Sequence, residues 1–108
     1  MDHVDYREIL KIIAEAARKT ETVDIYYPKT ENTPAGWREV EPYSLTTDTG
    51  DEGEHLIYEK DRLSPGHIFN AYVIGNKKRH CHSFIIGKIK KVKLTGFGFK
   101  PKWPVEFL

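Results

Sequence analysis

The sequence predicts a mainly β protein with one N-terminal α-helix, in which about five short strands form a small β-barrel. Apolar residues recur at helical spacing near the start of the chain and alternate with polar residues from Thr22 onward. Turn-forming residues then interrupt the chain every 8–15 residues or so, a spacing typical of small barrels. We expect the 108 residues to form one domain, with a helix at 1–20, a barrel at 21–96 and an aromatic, proline-containing tail at 97–108.

The helix is predicted over residues 4–19, where charged residues separate the members of an apolar stripe. The stripe consists of Tyr6, Ile9, Leu10, Ile13, Ala16 and Ala17. A helix of this length is not stable alone, so we expect its stripe to pack on the barrel. The barrel residues expected beneath it are Val23, Ile25, Val73, Phe84 and Ile86.

The first two strands follow the helix. Val23, Ile25 and Tyr27 alternate with polar residues until Pro28, which indicates a strand that ends there. Residues 37–47 are predicted to be extended. Pro42 lies within this second strand, and proline is tolerated in a sheet only at an edge or at a bulge.

The remaining strands are shorter. After a polar, acidic loop at 46–54, residues 55–60 form a predicted strand, and residues 68–75 and 78–87 a predicted hairpin. Residues 89–96 form the last strand. In it Val92 and Leu94 are expected to turn inward. Lys88 and Lys90 share their parity, so they avoid the core only if a turn near Gly87 breaks the register.

Charge is distributed unequally along the chain. Residues 1–61 hold seven basic and fifteen acidic side chains, whereas residues 62–108 hold ten basic side chains and one acidic, Glu106. A basic surface on a small β domain indicates an anionic partner. The alternative is that the two halves intermingle in the folded protein, since charge counts do not determine a fold.

Composition narrows the cellular setting. The single cysteine, Cys81, excludes an internal disulfide and is typical of a reducing compartment. The sequence has no apolar run near the roughly 20 residues that span a bilayer, and its first residues do not resemble a signal peptide. A cytoplasmic protein without a cofactor is therefore expected.

The predicted hairpin supplies the first candidate binding residues. Four residues share one strand face: His80, His82, Phe84 and Ile86. The side chains of Phe84 and Ile86 are expected to point toward the core. The two histidines would then lie at the mouth of the barrel. Arg79 and Lys88 are close in sequence, so these four polar residues are candidates for an anion-binding groove. The alternative is a pair of solvent-facing histidines without a ligand.

Aromatic residues supply the second set of candidates. Tyr43 and Tyr72 are candidates for stacking on a bound base or ring, and Arg38 for a bidentate contact to phosphate. Phe99 and Trp103 are instead expected to pin the tail to the core.

Two further kinds of chemistry are less well supported. The His80–His82 spacing puts two imidazoles on one face, but a structural zinc site needs four ligands and Cys81 points to the opposite face. For the same reason Cys81 is not expected to pair with an imidazole, and we expect it to be a structural residue rather than a nucleophile.

Four segments of the chain, in order, resemble the WYL domain. They are the helix with the Tyr-ended strand at 9–27, the R-x-V-x-P-x-x-L strand at 38–45, the segment HIFNAY at 67–72, and HSFIIGKI at 82–89 followed by KKVKLTG. HIFNAY stands where the family has its Trp-Tyr-Leu triplet. His82 and Lys88 stand where the family has arginines.

The resemblance implies an SH3-like or Sm-like barrel and a groove that senses nucleotides, nucleic acid or another anionic ligand. Family members usually carry a helix-turn-helix before this domain and an extension after it, so a stand-alone WYL module is expected here.

The leading functional hypothesis is a non-catalytic, ligand-sensing or nucleic-acid-binding regulatory module, with an anionic ligand, a nucleotide or a single-stranded nucleic acid as partner. The alternative is a protein-interaction or oligomerisation module that has no small ligand and binds a partner protein or a second copy. An enzyme is the third and weakest hypothesis, because no acid–base pair or phosphate-binding loop is present in the sequence.

Overall fold

The computed structural model describes residues 6–31, 33–46, 66–75 and 81–107. The elements of this part of the chain are α1 (Tyr6–Arg18), β1 (Glu21–Tyr27), β2 (Gly36–Thr46), β3 (Ile68–Val73), β4 (His82–Ile85), a single 3₁₀ turn (Ile86–Lys88) and β5 (Lys91–Gly98). This confirms the predicted class, a mainly β fold with an N-terminal helix and five strands. None of the described residues belongs to a helix long and apolar enough to cross a bilayer.

The five strands form one antiparallel sheet in the order β4-β3-β2-β1-β5. β1 lies between β2 and β5, so Val23 pairs with Val40 on one side and with Leu94 on the other. β4 and β5 lie at the two ends of this order, and no pairing between them is present among the described residues. Through the pairing of β1 with β5, the sheet joins the first strand of the sequence directly to the last one.

The core lies between α1 and the inner face of the sheet. The helical stripe is buried, with Ile9, Leu10 and Ile13 at 0% exposure. It joins a single apolar cluster with inward residues of the strands, among them Val23, Ile25, Val40, Phe69, Phe84 and Ile86. Val73 packs against this cluster while staying partly exposed. The predicted packing of the helical stripe on the strands is confirmed.

A bulge interrupts β2 next to its proline. Pro42 is opposite Ala71 and Ser44 is opposite Asn70, which leaves Tyr43 as an extra residue with no direct partner on β3. Because β2 lies inside the sheet, a bulge is the way in which a proline is accommodated there. The prediction that Pro42 requires an edge or a bulge is confirmed.

The chain between β4 and β5 differs from the continuous strand pattern that the sequence predicted. The 3₁₀ turn at Ile86–Lys88 shortens β4, buries Ile86 and leaves Lys88 exposed. This is the break in register that Lys88 and Lys90 needed to avoid the core. Val92 is half-buried as expected, but Leu94 is 41% exposed, because β5 is an edge strand. The predicted strand at 55–60 and the loop at 47–54 lie outside the described residues.

The residues after β5 lie against the sheet. Residues 99–107, called the tail segment here, begin with a hydrogen bond from the Phe99 amide to the Thr20 carbonyl at 2.9 Å. Further along, the Glu106 amide donates to the Tyr43 carbonyl at 2.7 Å, and Phe107 is buried in the core cluster. The tail segment thus runs from the end of β5 to the bulge in β2.

Candidate functional site

An open pocket of about 530 Å³ lies at the end of the sheet where β1 and β2 meet the β3–β4 pair. Its walls come from the end of β1, the turn that follows it, β2 and the β3–β4 pair: Tyr27, Thr30, Thr33, Arg38, Val73, Ile74, Gly75, His82, Ser83 and Phe84. Among the described residues, the lining combines one permanent cation, several hydroxyl groups and aromatic or aliphatic side chains. That mixture is typical of a small-ligand site.

Arg38 is the central polar residue of this pocket. Its guanidinium carbon lies 5.4 Å from the centre of the Tyr27 ring and 6.0 Å from that of Phe84. The Nη2 atom donates to the Pro34 carbonyl at 3.1 Å, whereas the Nη1 atom is buried and has no hydrogen-bond partner among the described residues. An arginine held on aromatic faces with an unused donor is suited to receive an anionic oxygen.

The electrostatic surroundings of Arg38 agree with that role. Removal from water lowers the pKa of the guanidinium from its usual value, and the nearby Tyr27 partly offsets this effect. An arginine side chain nevertheless remains protonated in proteins. The pocket therefore contains a positive charge that has lost part of its hydration, and an anionic ligand would replace what was lost.

Local structure fixes the two rings that support Arg38. The Tyr27 hydroxyl accepts a hydrogen bond from the Ile85 amide at 2.9 Å, which ties the end of β1 to β4. The Tyr27 and Phe84 rings meet edge to face with their centres 5.0 Å apart. On β2, Arg38 is opposite Ile25 in the register with β1 and lies on the same strand face as Val40, so its side chain projects toward these rings.

His82 reaches the same pocket from β4. It is paired with Ala71 on β3, and its ring centre lies 6.3 Å from that of Phe84. The predicted sharing of one face by His82 and Phe84 is therefore present in the structure. Of the seven residues predicted as ligand-binding, Arg38 and His82 are brought together here.

Tyr43 and Tyr72 lie elsewhere, beneath the tail segment. Tyr43 is only 3% exposed; its hydroxyl donates to Glu41 Oε1 at 2.5 Å and accepts the Lys102 amide at 3.0 Å. Tyr72 faces Trp103, with ring centres 6.1 Å apart. Both rings therefore pack on Trp103. Phe99 also packs on Tyr43, with ring centres 5.8 Å apart. Neither Tyr43 nor Tyr72 lines the pocket with Arg38.

The other three predicted site residues are not part of the described pocket. Lys88 is exposed on the 3₁₀ turn and does not line it. Arg79 and His80 lie outside the described residues, in the segment that joins Gly75 to Cys81.

Sequence reasoning missed the role of Tyr27 and of the turn hydroxyls Thr30 and Thr33. The alternation of Tyr27 with polar residues indicated only that it belongs to a strand. The position of Tyr27 in the sequence could have indicated its role at the pocket. It is the last strand residue before Pro28 and therefore lies at the end of the sheet. A large side chain with a polar end at such a position often serves packing and hydrogen bonding together.

Cys81 shows no sign of an activated thiol. It is half-buried, and desolvation followed by the negative charge of Glu41 raises the pKa of its thiol. A raised pKa disfavours the reactive thiolate. Among residues 6–31, 33–46, 66–75 and 81–107, no group of three or more His, Cys, Asp or Glu side chains is placed to hold a metal ion.

Comparison with known proteins gives a match in structure but none in sequence. No protein-family model matches the chain, and no curated protein sequence matches it. A solved structure, that of proteasome accessory factor B/C (PafBC) of Arthrobacter aurescens, is similar with a TM-score of 0.59 at 15% sequence identity. The match covers 93% of this chain and 14% of the PafBC chain. At this identity the likeness shows a shared fold.

Proposed function

We propose that this protein is a non-catalytic regulatory module of WYL type, and that it binds an anionic ligand, a nucleotide or a single-stranded nucleic acid in the pocket around Arg38. The observation that carries the proposal is the Nη1 donor of Arg38, which is buried and has no hydrogen-bond partner within the described residues. A buried donor without a partner is costly, and a ligand oxygen would remove that cost.

The other lining residues suit the same kind of ligand. Thr30, Thr33 and Ser83 line the pocket with hydroxyl groups. Those of Thr30 and Ser83 donate to the Thr33 carbonyl at 3.5 Å and to Asn70 Oδ1 at 3.4 Å, long hydrogen bonds that a bond to an anionic oxygen would replace. Val73 and Ile74 supply an apolar wall against which a ring can lie. His82 would add a second positive charge when it is protonated, so an anion would bind more tightly at mildly acidic pH.

Fold and sequence support the WYL assignment in a general way. The ordered motif segments resemble that family, and the likeness to part of PafBC supports a WYL-like fold. The strand order, in which β1 pairs with both β2 and β5, is compatible with the SH3-like or Sm-like barrel that the resemblance implies.

Charge in the sequence that follows a pocket-lining residue favours an anion with more than one negative group. The segment between Gly75, which lines the pocket, and Cys81 carries Lys77, Lys78 and Arg79 in the sequence. Positive side chains near a binding site attract anions and accelerate their association.

The test is fluorescence anisotropy with short single-stranded DNA and RNA, and with a labelled mononucleotide, at two salt concentrations of about 50 and 200 mM. Arg38→Ala should remove binding of the mononucleotide, and Arg38→Lys should not restore it, because a lysine does not offer the paired donors of a guanidinium. The matched control is Arg18→Ala, at the exposed end of α1, which removes an equal charge far from the pocket.

Polyanion binding should depend further on Arg79 and Lys88. Replacement of either by alanine should weaken binding and lower the salt slope by about one unit. Lys91→Ala and Lys93→Ala should have smaller effects. Equal losses in all four variants would indicate diffuse electrostatic attraction. Retention of mononucleotide binding by Arg38→Ala would refute the site.

The alternative function, a protein-interaction module, is favoured by one observation. Trp37, Leu94 and Phe97 are 47%, 41% and 67% exposed on β2 and β5. Exposed apolar side chains that form a contiguous patch mark an interaction surface, and the alternative requires these residues to contribute to one. A salt-insensitive association that is lost in Trp37→Ala, together with an Arg38→Ala variant of unchanged behaviour, would support this alternative.

A further inference from the structure

The tail segment is attached to the sheet by a small number of separate anchors. The first is an ion pair between Lys102 and Glu41. Glu41 is only 4% exposed, although it is a charged residue in the middle of β2. A buried carboxylate requires a nearby cation, and Lys102 supplies it.

The Lys102 ammonium group is held from several sides. Its Nζ atom lies 3.0 Å from Glu41 Oε2 and 3.2 Å from Oε1, and 4.4 Å from the centre of the Tyr72 ring. The side chain nevertheless keeps 33% exposure. The site therefore holds the Lys102 ammonium group by charge and by a ring face, and it is also open to solvent.

Aromatic contacts supply further anchors, beside the backbone hydrogen bonds of the tail segment to Thr20 and Tyr43. The Trp103 ring lies edge-on to Tyr43, with ring centres 5.2 Å apart, and near Tyr72. Phe107 meets Phe69 of β3 with ring centres 6.0 Å apart. We call Glu41, Tyr43, Phe69 and Tyr72 the anchor surface. The tail segment lies on it as a peptide lies in a recognition groove, with Lys102 as a charged anchor and Phe99, Trp103 and Phe107 as aromatic ones.

We infer that the anchor surface also binds the tail segment of a second copy of this chain, so that two copies can exchange their tail segments. Each copy carries both the surface and the segment, and every contact made within one chain can therefore be made between two. Lys100 and Pro101, between the end of β5 and the Lys102 anchor, are exposed, so the connection is accessible to solvent.

Charge favours an encounter in this orientation. Glu41 on the anchor surface is negative and Lys102 on the tail segment is positive. The opposite charges therefore favour contact between the anchor surface of one copy and the tail segment of another.

In the wild-type protein each surface is occupied by its own segment, whose effective concentration is on the order of mM. Exchange is therefore best tested with two variants that are defective in opposite parts. Lys102→Ala has an intact anchor surface and a defective segment, whereas Glu41→Gln has an intact segment and a defective surface. Only a mixture of the two brings an intact segment together with an intact surface.

The two full-length variants are labelled with a fluorescent donor and an acceptor, and energy transfer is measured against protein concentration. We expect the mixture to associate at a concentration roughly tenfold or more below that of either variant alone. In the Lys102→Ala copy, the defective tail segment competes for its own anchor surface less well than a wild-type segment does, so the intact segment of Glu41→Gln can bind there. Circular dichroism and urea unfolding of each variant establish that both fold. Trp103→Leu replaces Lys102→Ala as the segment-defective partner if Lys102→Ala does not fold.

The matched control is Lys100→Ala mixed with Glu41→Gln. It removes an exposed lysine two residues away and leaves the ammonium anchor in place. Association of the control mixture at the same concentration as the test mixture would show general attraction and would overturn the inference. So would a test mixture that associates no better than the separate variants.

Discussion

The Tyr27 hydroxyl group provides a sharp test of how the sheet is held together at the pocket. Tyr27→Phe removes one oxygen atom and leaves the ring in place. The ring contacts with Phe84 and Arg38 should persist, and the Ile85 amide should lose its acceptor at 2.9 Å. The substitution thus isolates a single hydrogen bond between β1 and β4, two strands that are not neighbours in the sheet.

The expected cost follows from the surroundings of that bond. A buried amide that loses its partner costs about 1–3 kcal/mol. Tyr27 is 5% exposed, but the bond itself is only part-buried, so water can reach the amide after a small adjustment. We therefore expect the free energy of unfolding to fall by about 1–2 kcal/mol, the lower part of the range for a buried amide that loses its partner. For a domain of this size, such a loss lowers Tm by roughly 4–15 °C.

Urea unfolding followed by fluorescence measures the free energy, with an unchanged m-value as evidence that both states are comparable. Hydrogen exchange of the Ile85 amide should accelerate by more than that of neighbouring amides. The control is Tyr26→Phe, on the outer face of β1, where the ring packs edge-on to Trp37 at 5.6 Å. A loss below about 0.5 kcal/mol in Tyr27→Phe, or an equal loss in the control, would refute the reasoning.

Three further predictions concern single residues. Burial, and then the hydrogen bond to Glu41, raise the pKa of Tyr43. The protonated Tyr43 hydroxyl therefore contributes its full share of stability below the ordinary tyrosine pKa of about 10, and this contribution is lost as the pH rises above that value. Urea unfolding between about pH 8 and 11 should show this decline, and Tyr43→Phe should reduce it. Cys81→Ser should leave anion binding intact. The wild-type Cys81 thiol should react with iodoacetamide more slowly than free cysteine, because its pKa is raised, and fast labelling would contradict this. Gly96 has a φ of 80° with open space around it, so Gly96→Ala should cost about 1 kcal/mol in unfolding free energy, whereas Gly36→Ala, also in open space but without a positive φ, should not.

Much of the fold could be predicted because it depends on local patterns. The helical stripe around Ile9 and Ile13 and the alternation at Val23 and Ile25 report on the side of each element that is buried, and the structure confirms both. Pro42 was equally informative, since its missing amide hydrogen limits where it can lie in a sheet. Each of these inferences used residues within a few positions of one another.

The grouping of candidate site residues could not be predicted in the same way. Arg38 and His82 meet because β2, β3 and β4 pair in a particular register, which the sequence does not specify. Tyr43 follows Pro42 at the bulge, where the simple alternation of strand faces is interrupted. The ion pair between Glu41 and Lys102 joins residues 61 positions apart and leaves no local pattern. The sequence shows two acidic residues in this strand, Glu39 and Glu41, and does not distinguish the buried carboxylate from the half-buried one.

The pairing of β1 with β5 has a consequence for the order in which the molecule assembles. Val23 and Leu94 are neighbours in the sheet although about 70 residues of chain separate them, and loop closure over that distance carries an entropic cost that short hairpins avoid. The β1–β2 and β3–β4 pairs can form early from nearby residues. During synthesis, one edge of β1 must then wait with unsatisfied backbone groups until the ribosome has released β5. A nascent chain halted before Lys91 would therefore expose a strand edge that is prone to pair with other chains, and completion of β5 is the step that removes this hazard.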